Sequence, residues 1–192
     1  MRPLVQALAR PLVRAGIAAD AITWAGFAIG MAAAVAIGFG EMGLALVLML
    51  LSRGCDGLDG AVARLTVPTD RGAFLDITLD FLFYAAVPLA FAVHDPARNA
   101  LAAALLLAAF IGTGSSFLAF ALLAERRGLK SLAFPDKGIY YLGGLTEAGE
   151  TLVCFVLMCL WPRQFAWWAT AFALLCGLTL ILRLLAGWRQ LR

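Results

Sequence analysis

Long apolar stretches dominate this chain, and the polar and charged residues gather in the short segments between them. A helix rises 1.5 Å per residue, so about 20 apolar residues are needed to cross about 30 Å of hydrocarbon. Stretches of that length predict an all-α membrane protein built as a bundle of six transmembrane helices. The predicted spans are residues 21–39, 43–64, 72–93, 99–123, 140–160 and 165–187.

Residues 3–15 have a different pattern, in which leucine and valine positions alternate with arginines. This pattern is typical of a short amphipathic helix lying on a membrane surface, and a disordered tail is the alternative. No small-residue cleavage site follows, so the first span is expected to be a transmembrane helix and not a signal peptide. The whole chain, residues 1–192, is predicted to be a single transmembrane domain.

Composition supports the membrane assignment. The chain has 192 residues, of which 63% are hydrophobic and 14% are charged, whereas soluble domains average about 25% charged residues. The cysteines fall within predicted helices and lack the spacing of metal ligands or of exposed disulfides. We interpret them as small buried apolar side chains: Cys55, Cys154, Cys159 and Cys176.

The basic residues collect in alternate connections, which predicts the orientation of the chain. One side carries Arg2, Arg10, Arg14, Arg64, Arg71, Arg126, Arg127, Lys130, Lys137, Arg189 and Arg192. The opposite loops carry Glu41, His94, Asp95, Arg98 and Arg163. Both termini and the connection between the second and third spans are therefore predicted to be cytoplasmic, in a bacterial inner (plasma) membrane. The net charge of +3 then reflects contact with anionic lipid headgroups and not with nucleic acid.

Four carboxylates lie within the second and third predicted spans: Asp56, Asp59, Asp76 and Asp80. An ionised carboxylate in hydrocarbon costs about 2.5–3.5 kcal/mol or more, so four of them need compensation. Their i,i+3 and i,i+4 spacings place each pair on one helix face, at matching depths across an antiparallel hairpin. Such a cage of oxygens suits one or two Mg²⁺ or Mn²⁺ ions, which can clamp a phosphoryl group. Structural ion pairing is disfavoured because the acids face only Arg64 and Arg71.

Glycines interrupt the same two spans, at Gly54, Gly57, Gly60 and Gly72. They leave room for the backbone to approach a bulky phosphate-bearing ligand, although close helix packing explains them equally well. Arg64 is the natural partner for a diphosphate, since its planar guanidinium can hold two oxygens at once.

Residues 56–80 match the pattern D-x-x-D-G-x-x-A-R-x7-G-x-x-x-D-x-x-x-D. The match resembles the signature of the CDP-alcohol phosphotransferase family. Enzymes of this family move a phospho-substituted alcohol from a cytidine diphosphate donor to a hydroxyl acceptor and release CMP. The resemblance implies that the four aspartates hold one or two divalent metal ions, that Asp80 is also the general base, and that the enzyme is a homodimer.

The resemblance also implies donor contacts from Asp59, Gly60, Arg64, Thr69, Gly72 and Thr23. Residues 19–23, A-D-A-I-T, resemble the P-N-x-x-T element of the family. Asp20 stands where that element has asparagine, and Asp20 is equally explained as the N-cap of the first span.

Two further acids, Glu147 and Glu150, have i,i+3 spacing in the fifth predicted span, about one to two turns inside its cytoplasmic end. Intramembrane acids indicate a functional site, and a pair with Arg183 that only fastens the last two spans is the alternative. Acidic residues outweigh basic ones in this region, which favours an unphosphorylated acceptor such as inositol or an amino alcohol. The candidate acceptor-binding residues are Glu147, Glu150, Lys137 and Arg183. Glycerol 3-phosphate or inositol phosphate, held by Lys137, Arg126 or Arg127, stays open.

Three functions compete at this point. The first is phosphatidyl transfer from CDP-diacylglycerol to a small alcohol, which the short loops favour. The second uses a soluble CDP-alcohol donor and diacylglycerol as acceptor. The third is a cation transporter, which would leave Arg64, Gly60 and Gly72 unexplained. His94 lies in an outer loop and is interpreted as a bystander.

Overall fold

A computed structural model describes residues 2–127 and 146–190, with side chains from residue 5 onward. All regular structure in these residues is helical, which confirms the predicted all-α class. The helices are α1 (Arg2–Arg14), α2 (Ala19–Gly38), α3 (Met42–Leu65), α4 (Asp70–His94), α5 (Pro96–Arg126), α6 (Ala148–Leu160) and α7 (Phe165–Gln190), and a 3-10 helix, Pro162–Gln164, precedes α7.

Four described segments are long and apolar enough to cross a membrane: Ala19–Gly38, Asp70–His94, Pro96–Arg126 and Pro162–Gln190. They correspond to the first, third, fourth and sixth predicted spans. The second predicted span is α3, which has 24 residues but carries four charged side chains, and the fifth contains α6, which has only 13 residues. The prediction of six spans is therefore confirmed only in part.

The chain forms two compact units, Met1–His94 and Asp95–Arg192. In the first unit, α2 packs against α3 and α4, and α1 packs against α3. Glycines on α2 allow this approach. A Cβ atom on Gly26 would lie 2.8 Å from Cβ of Cys55, and one on Gly30 would lie 2.9 Å from both the Phe83 ring and the Ser52 hydroxyl. Small residues of this kind let helix backbones come close together in membrane proteins.

Helix α1 confirms that the N-terminal pattern forms a helix. Ala9 is wholly buried in a cluster with Ile22 of α2 and Val62 of α3, and Val5 and Leu12 pack against that cluster. The apolar face of α1 is thus partly covered by the protein itself. Its position at a membrane surface stays a prediction.

Two helix starts differ from the predictions. Helix α2 begins at Ala19 with Ala18 as its N-cap, so the interpretation of Asp20 as the N-cap is wrong, and Asp20 lies in the first turn instead. Helix α6 begins at Ala148, where the N–H of Glu147 donates to the Glu150 carboxylate at 3.0 Å. The two glutamates therefore lie at the helix start and not one to two turns inside it, because Glu150 satisfies an N–H that the helix leaves free.

In the second unit, α5 and α6 each pack against α7. The Phe110 ring makes edge-to-face contacts with Phe155 and Phe172, at centroid distances of 6.3 and 6.2 Å, an arrangement that aromatic pairs prefer. The cysteines are free thiols, three of them buried and Cys55 half-buried, as their positions in apolar helices predict.

Candidate active site

Three of the predicted carboxylates converge in the first unit. Asp56 of α3 and Asp76 and Asp80 of α4 each place a carboxylate oxygen within 4.8 Å of the other two. The i,i+4 spacing puts the two α4 aspartates on one face of the helix. Three carboxylate oxygens at this separation fit a hard divalent cation, which binds oxygen ligands of this type.

The fourth predicted carboxylate, Asp59, is buried and lies outside this group of three. Its Oδ2 accepts a hydrogen bond of 2.6 Å from the Thr23 hydroxyl of α2. Asp59 still lines the same small cavity, of about 10 Å³, as Asp56, Asp76 and Asp80. The predicted set of four is thus gathered around one cavity, and Thr23 of α2 bonds to Asp59.

A cation that the sequence analysis missed lies among the carboxylates. Arg53 places Nη1 2.5 Å from Oδ1 of Asp80 and 3.6 Å from Oδ1 of Asp56. The prediction that the acids face only Arg64 and Arg71 is therefore wrong. The spacing could have shown it, since residues three apart share a helix face and Arg53 precedes Asp56 by three.

Arg71 belongs to a different pair. Its Nε and Nη2 both donate to Oδ2 of Asp20, at 2.8 and 2.5 Å, which joins the first turns of α4 and α2. A Cβ atom on Gly72 would lie 3.2 Å from the Asp20 carboxylate and 3.2 Å from the Thr69 hydroxyl. That hydroxyl accepts the Gly72 N–H at 3.0 Å and so caps the start of α4. Glycine suits position 72 because a Cβ atom there would crowd both this hydroxyl and the Asp20 carboxylate.

A second cavity, of about 590 Å³, adjoins the carboxylates and shares three lining residues with the small one: Thr23, Asp59 and Asp76. Its walls are formed by the end of α1, the start of α2 and the segment that joins them, and by the end of α3, the start of α4 and the segment that joins those two helices. Its lining includes all the predicted donor-binding residues: Thr23, Asp59, Gly60, Arg64, Thr69 and Gly72. The structure thus brings these six residues together, while their contacts with a donor stay a prediction.

Arg64 lies over Gly60, with Nη1 3.2 Å from the place that a Cβ atom would take. The ion pairs within residues 5–127 and 146–190 do not include Arg64, so its guanidinium is available to an anion in the larger cavity. Gly54 and Gly57 face open space among the described atoms, and close helix packing rests instead on Gly26 and Gly30.

The predicted acceptor residues lie in the second unit. Arg183 of α7 is buried and donates from Nη1 to the Thr113 carbonyl at 3.1 Å. Neither Glu147 nor Glu150 pairs with Arg183 in the described part of the chain, so the helix-fastening pair is wrong. The physical reason is that Glu150 caps α6 while Arg183 turns towards α5. Lys137 lies outside the described residues.

The sequence model of the CDP-alcohol phosphatidyltransferase family matches residues 16–179. This chain therefore belongs to the CDP-alcohol phosphatidyltransferase family, which confirms the resemblance carried by residues 56–80, and it is a transferase of that class. The predicted use of a divalent metal is confirmed as well, because the family uses divalent metals and three carboxylates converge here.

Two relatives give the family context. The inner membrane protein YnjF of Escherichia coli (strain K12) is 50% identical over 192 residues, which cover 100% of this chain and 93% of that protein. The archaetidylinositol phosphate synthase of Methanothermobacter thermautotrophicus is 40% identical over 83 residues, which cover 42% of this chain and 43% of that one. The four apolar helices and the first relative support an integral membrane protein.

Solved structures of Mycobacterium tuberculosis phosphatidylinositol phosphate synthase share this fold. The form with CDP-DAG bound superposes with a TM-score of 0.71 at 23% identity and covers 97% of this chain and 94% of that one. The form in complex with manganese and citrate gives a TM-score of 0.76, also at 23% identity, with coverage of 96% and 88%.

Proposed function

We propose that this enzyme transfers a phosphatidyl group from CDP-diacylglycerol to the hydroxyl of a small polar alcohol and releases CMP. The observation that carries the proposal is the convergence of three carboxylates beside a 590 Å³ cavity that Arg64 lines. The M. tuberculosis enzyme of the same fold has been solved with CDP-DAG bound, which supports this choice of donor.

The metal would be held by Asp56, Asp76 and Asp80, with Asp59 beside them, as one or two Mg²⁺ or Mn²⁺ ions. A bound divalent ion neutralises phosphoryl charge and orients the phosphate for in-line attack. The manganese complex of the M. tuberculosis enzyme favours the same class of ion. The geometry of the three oxygens supports the assignment.

The larger cavity is proposed as the donor site. Arg64 can hold two diphosphate oxygens in its planar fork. Gly60 and Gly72 have no side chains, so a diphosphate can approach the backbone at these positions. Thr23 and Thr69 line the same cavity and offer hydroxyl groups to the diphosphate. These residues bind and orient the donor so that its lipid-linked phosphorus faces the carboxylates.

The transfer itself follows from Asp80 and Arg64. The Asp80 carboxylate takes the proton from the acceptor hydroxyl as the alcohol oxygen bonds to the lipid-linked phosphorus. The bond between that phosphorus and the bridging oxygen breaks, and CMP leaves with this oxygen. Arg64 stabilises the negative charge that develops on the departing phosphate. The products are the phospholipid, CMP and a proton.

The acceptor has two candidates. The preference for an unphosphorylated alcohol rested on Glu147 and Glu150, and capping of α6 now accounts for Glu150. A phosphorylated polyol is the second candidate, favoured by the names of the archaeal and mycobacterial relatives, both inositol phosphate lipid synthases. Both candidates supply the hydroxyl that the proposed reaction needs.

The proposed topology has six spans, with α3 as the second and α6 as the described part of the fifth. The charges of α3 are compatible with a span because they face a cavity and not lipid. We place both termini, α1 and the active site on the cytoplasmic side of a bacterial inner membrane, with a homodimer as the assembly. The E. coli relative is described as an inner membrane protein, which supports this location.

A substrate panel tests the proposal. The purified protein is given radiolabelled CDP-diacylglycerol and Mn²⁺ with inositol, an amino alcohol, inositol phosphate or glycerol 3-phosphate, and CMP and lipid products are measured. Turnover with one acceptor class identifies it. Turnover only with a soluble CDP-alcohol and diacylglycerol would reverse donor and acceptor, and cation flux in vesicles without CMP release would indicate a transporter.

A further inference from the structure

Arg53 contacts two of the four clustered aspartates, in a position for which neither the family signature nor the proposed donor site has a use. Its side chain is 14% exposed, and its Nη1 contacts Asp80 at 2.5 Å and Asp56 at 3.6 Å. A guanidinium stays protonated in proteins, so this positive charge is permanent. In a half-buried place the attraction to carboxylates is several times stronger than in bulk water.

The surroundings hold Arg53 in this orientation. The Phe83 ring lies 4.4 Å from Cζ, within the range of a cation–π contact. Nη2 donates to the Ser52 hydroxyl at 3.3 Å, and that hydroxyl donates to the Gly26 carbonyl at 2.8 Å. We call Phe83 and Ser52 the Arg53 cradle. Gly30 makes room for this cradle, since a Cβ atom there would lie 2.9 Å from both Phe83 and Ser52.

We propose that Arg53 is a positioning residue, a built-in counter-ion that holds Asp80 in place for the acceptor hydroxyl and competes with the metal for Asp80 and Asp56. The proposal rests on the proposed function, because it assigns a role inside the same metal site. Two opposite effects follow from this one contact. The fixed charge weakens metal binding, because a cation already engages two of the ligands, and it raises turnover, because the base stays oriented.

The test measures Mn²⁺ affinity and turnover separately on purified protein. Free Mn²⁺ is followed by electron paramagnetic resonance during a titration, and kcat is taken from CMP release at saturating Mn²⁺. The variants are Arg53→Gln, which removes the charge, and Arg53→Lys, which keeps the charge but loses the fork. Arg98→Gln, in an exposed pair with Asp95, is the matched control for the loss of one arginine.

For Arg53→Gln we expect Mn²⁺ to bind about tenfold more tightly, because a nearby positive charge is gone. We expect kcat to fall about 10- to 100-fold, because Asp80 would no longer be held in its catalytic position. Arg53→Lys should keep the parent's Mn²⁺ affinity and recover part of the turnover. Unchanged or weaker Mn²⁺ binding in Arg53→Gln, or unchanged turnover, would overturn the proposal.

A second variant moves the cradle without changing any charge. Gly30→Ala pushes on Phe83 and Ser52, so kcat should fall while Mn²⁺ affinity changes far less than in Arg53→Gln. If Arg53→Gln does not fold, this variant and Arg53→Lys carry the test, and full turnover in both would contradict the proposal. A parent protein that binds no Mn²⁺ would instead overturn the proposed function itself.

Discussion

Residues of one motif occupy distinct environments in this enzyme. Asp56, Asp76 and Asp80 point their oxygens at one another, whereas Asp59 is buried against the Thr23 hydroxyl. The spacing predicted which faces these residues share, because helix geometry fixes that. It could not predict that Thr23 bonds to Asp59 or that Arg53 bonds to Asp80, since these contacts join different helices and depend on the packing of α2, α3 and α4.

Asp80→Asn tests the general base at this scale. The amide cannot take the hydroxyl proton, so kcat should fall about 10²- to 10⁴-fold. Donor affinity should stay near that of the parent, because the base acts in the transition state. Equilibrium binding of CDP-diacylglycerol, measured beside kcat, checks both. A variant that loses binding and turnover in parallel would point to a ligand role alone.

Arg64→Lys tests the donor site. An ammonium keeps the charge but not the bidentate fork. The loss of one charge-assisted hydrogen bond, about 1.5–3 kcal/mol, should raise the KM for CDP-diacylglycerol about 10- to 150-fold. Initial-rate kinetics with varied donor give the value, and Arg98→Gln again serves as the control. An unchanged donor KM would remove Arg64 from the nucleotide site.

At the scale of elements, apolar length predicted most helix positions well. The described bounds of α2, α4 and α5 lie within a few residues of the predicted spans. The start of α6 was placed too early, because the apolar pattern gave no weight to Glu150 as a capping group. The close approach of α2 to α3 at Gly26 and Gly30 was also missed, since a glycine in an apolar stretch does not indicate which helix packs against it.

Glu150→Gln tests the capping role of this residue. The variant keeps a hydrogen-bond acceptor but loses the negative charge at a helix N-terminus, which stabilises by about 0.3–1 kcal/mol. We expect a slightly lower Tm and an unchanged KM for the acceptor. Arg183→Ala should lower Tm independently, through its lost bond to Thr113, and the two effects should add in the double variant because the two residues do not pair. A raised acceptor KM at an unchanged Tm would restore Glu150 to the acceptor site.

At the scale of the whole molecule, the charge pattern and the apolar spans predicted an integral membrane protein. The resemblance carried by residues 56–80 implied a transferase, and the family match confirms that class. The acceptor could not be predicted from the sequence in the same way. Its candidate residues, Lys137, Glu147, Glu150 and Arg183, are spread widely along the sequence. They therefore form no short motif of fixed spacing like that of the four aspartates.

Metal binding should stabilise the folded protein as a whole. An ion that binds only the native state adds about 2.7 kcal/mol at 100 times its dissociation constant. Thermal unfolding in detergent, after chelation and then with added Mn²⁺, should show a rise in Tm. The double variant Asp56→Asn with Asp76→Asn should abolish the rise. An equal rise in that double variant would place the metal elsewhere.

The most direct test of the central claim is CMP release from CDP-diacylglycerol by Asp56→Asn and Asp76→Asn, each in saturating Mn²⁺. The matched control is Asp70→Asn, an exposed aspartate in the first turn of α4 that lines neither cavity. We predict that both site variants fold yet lose turnover, because each removes a carboxylate from the metal site, while the control keeps it. Near-parental CMP release by either site variant would contradict the assignment of these carboxylates to a catalytic metal.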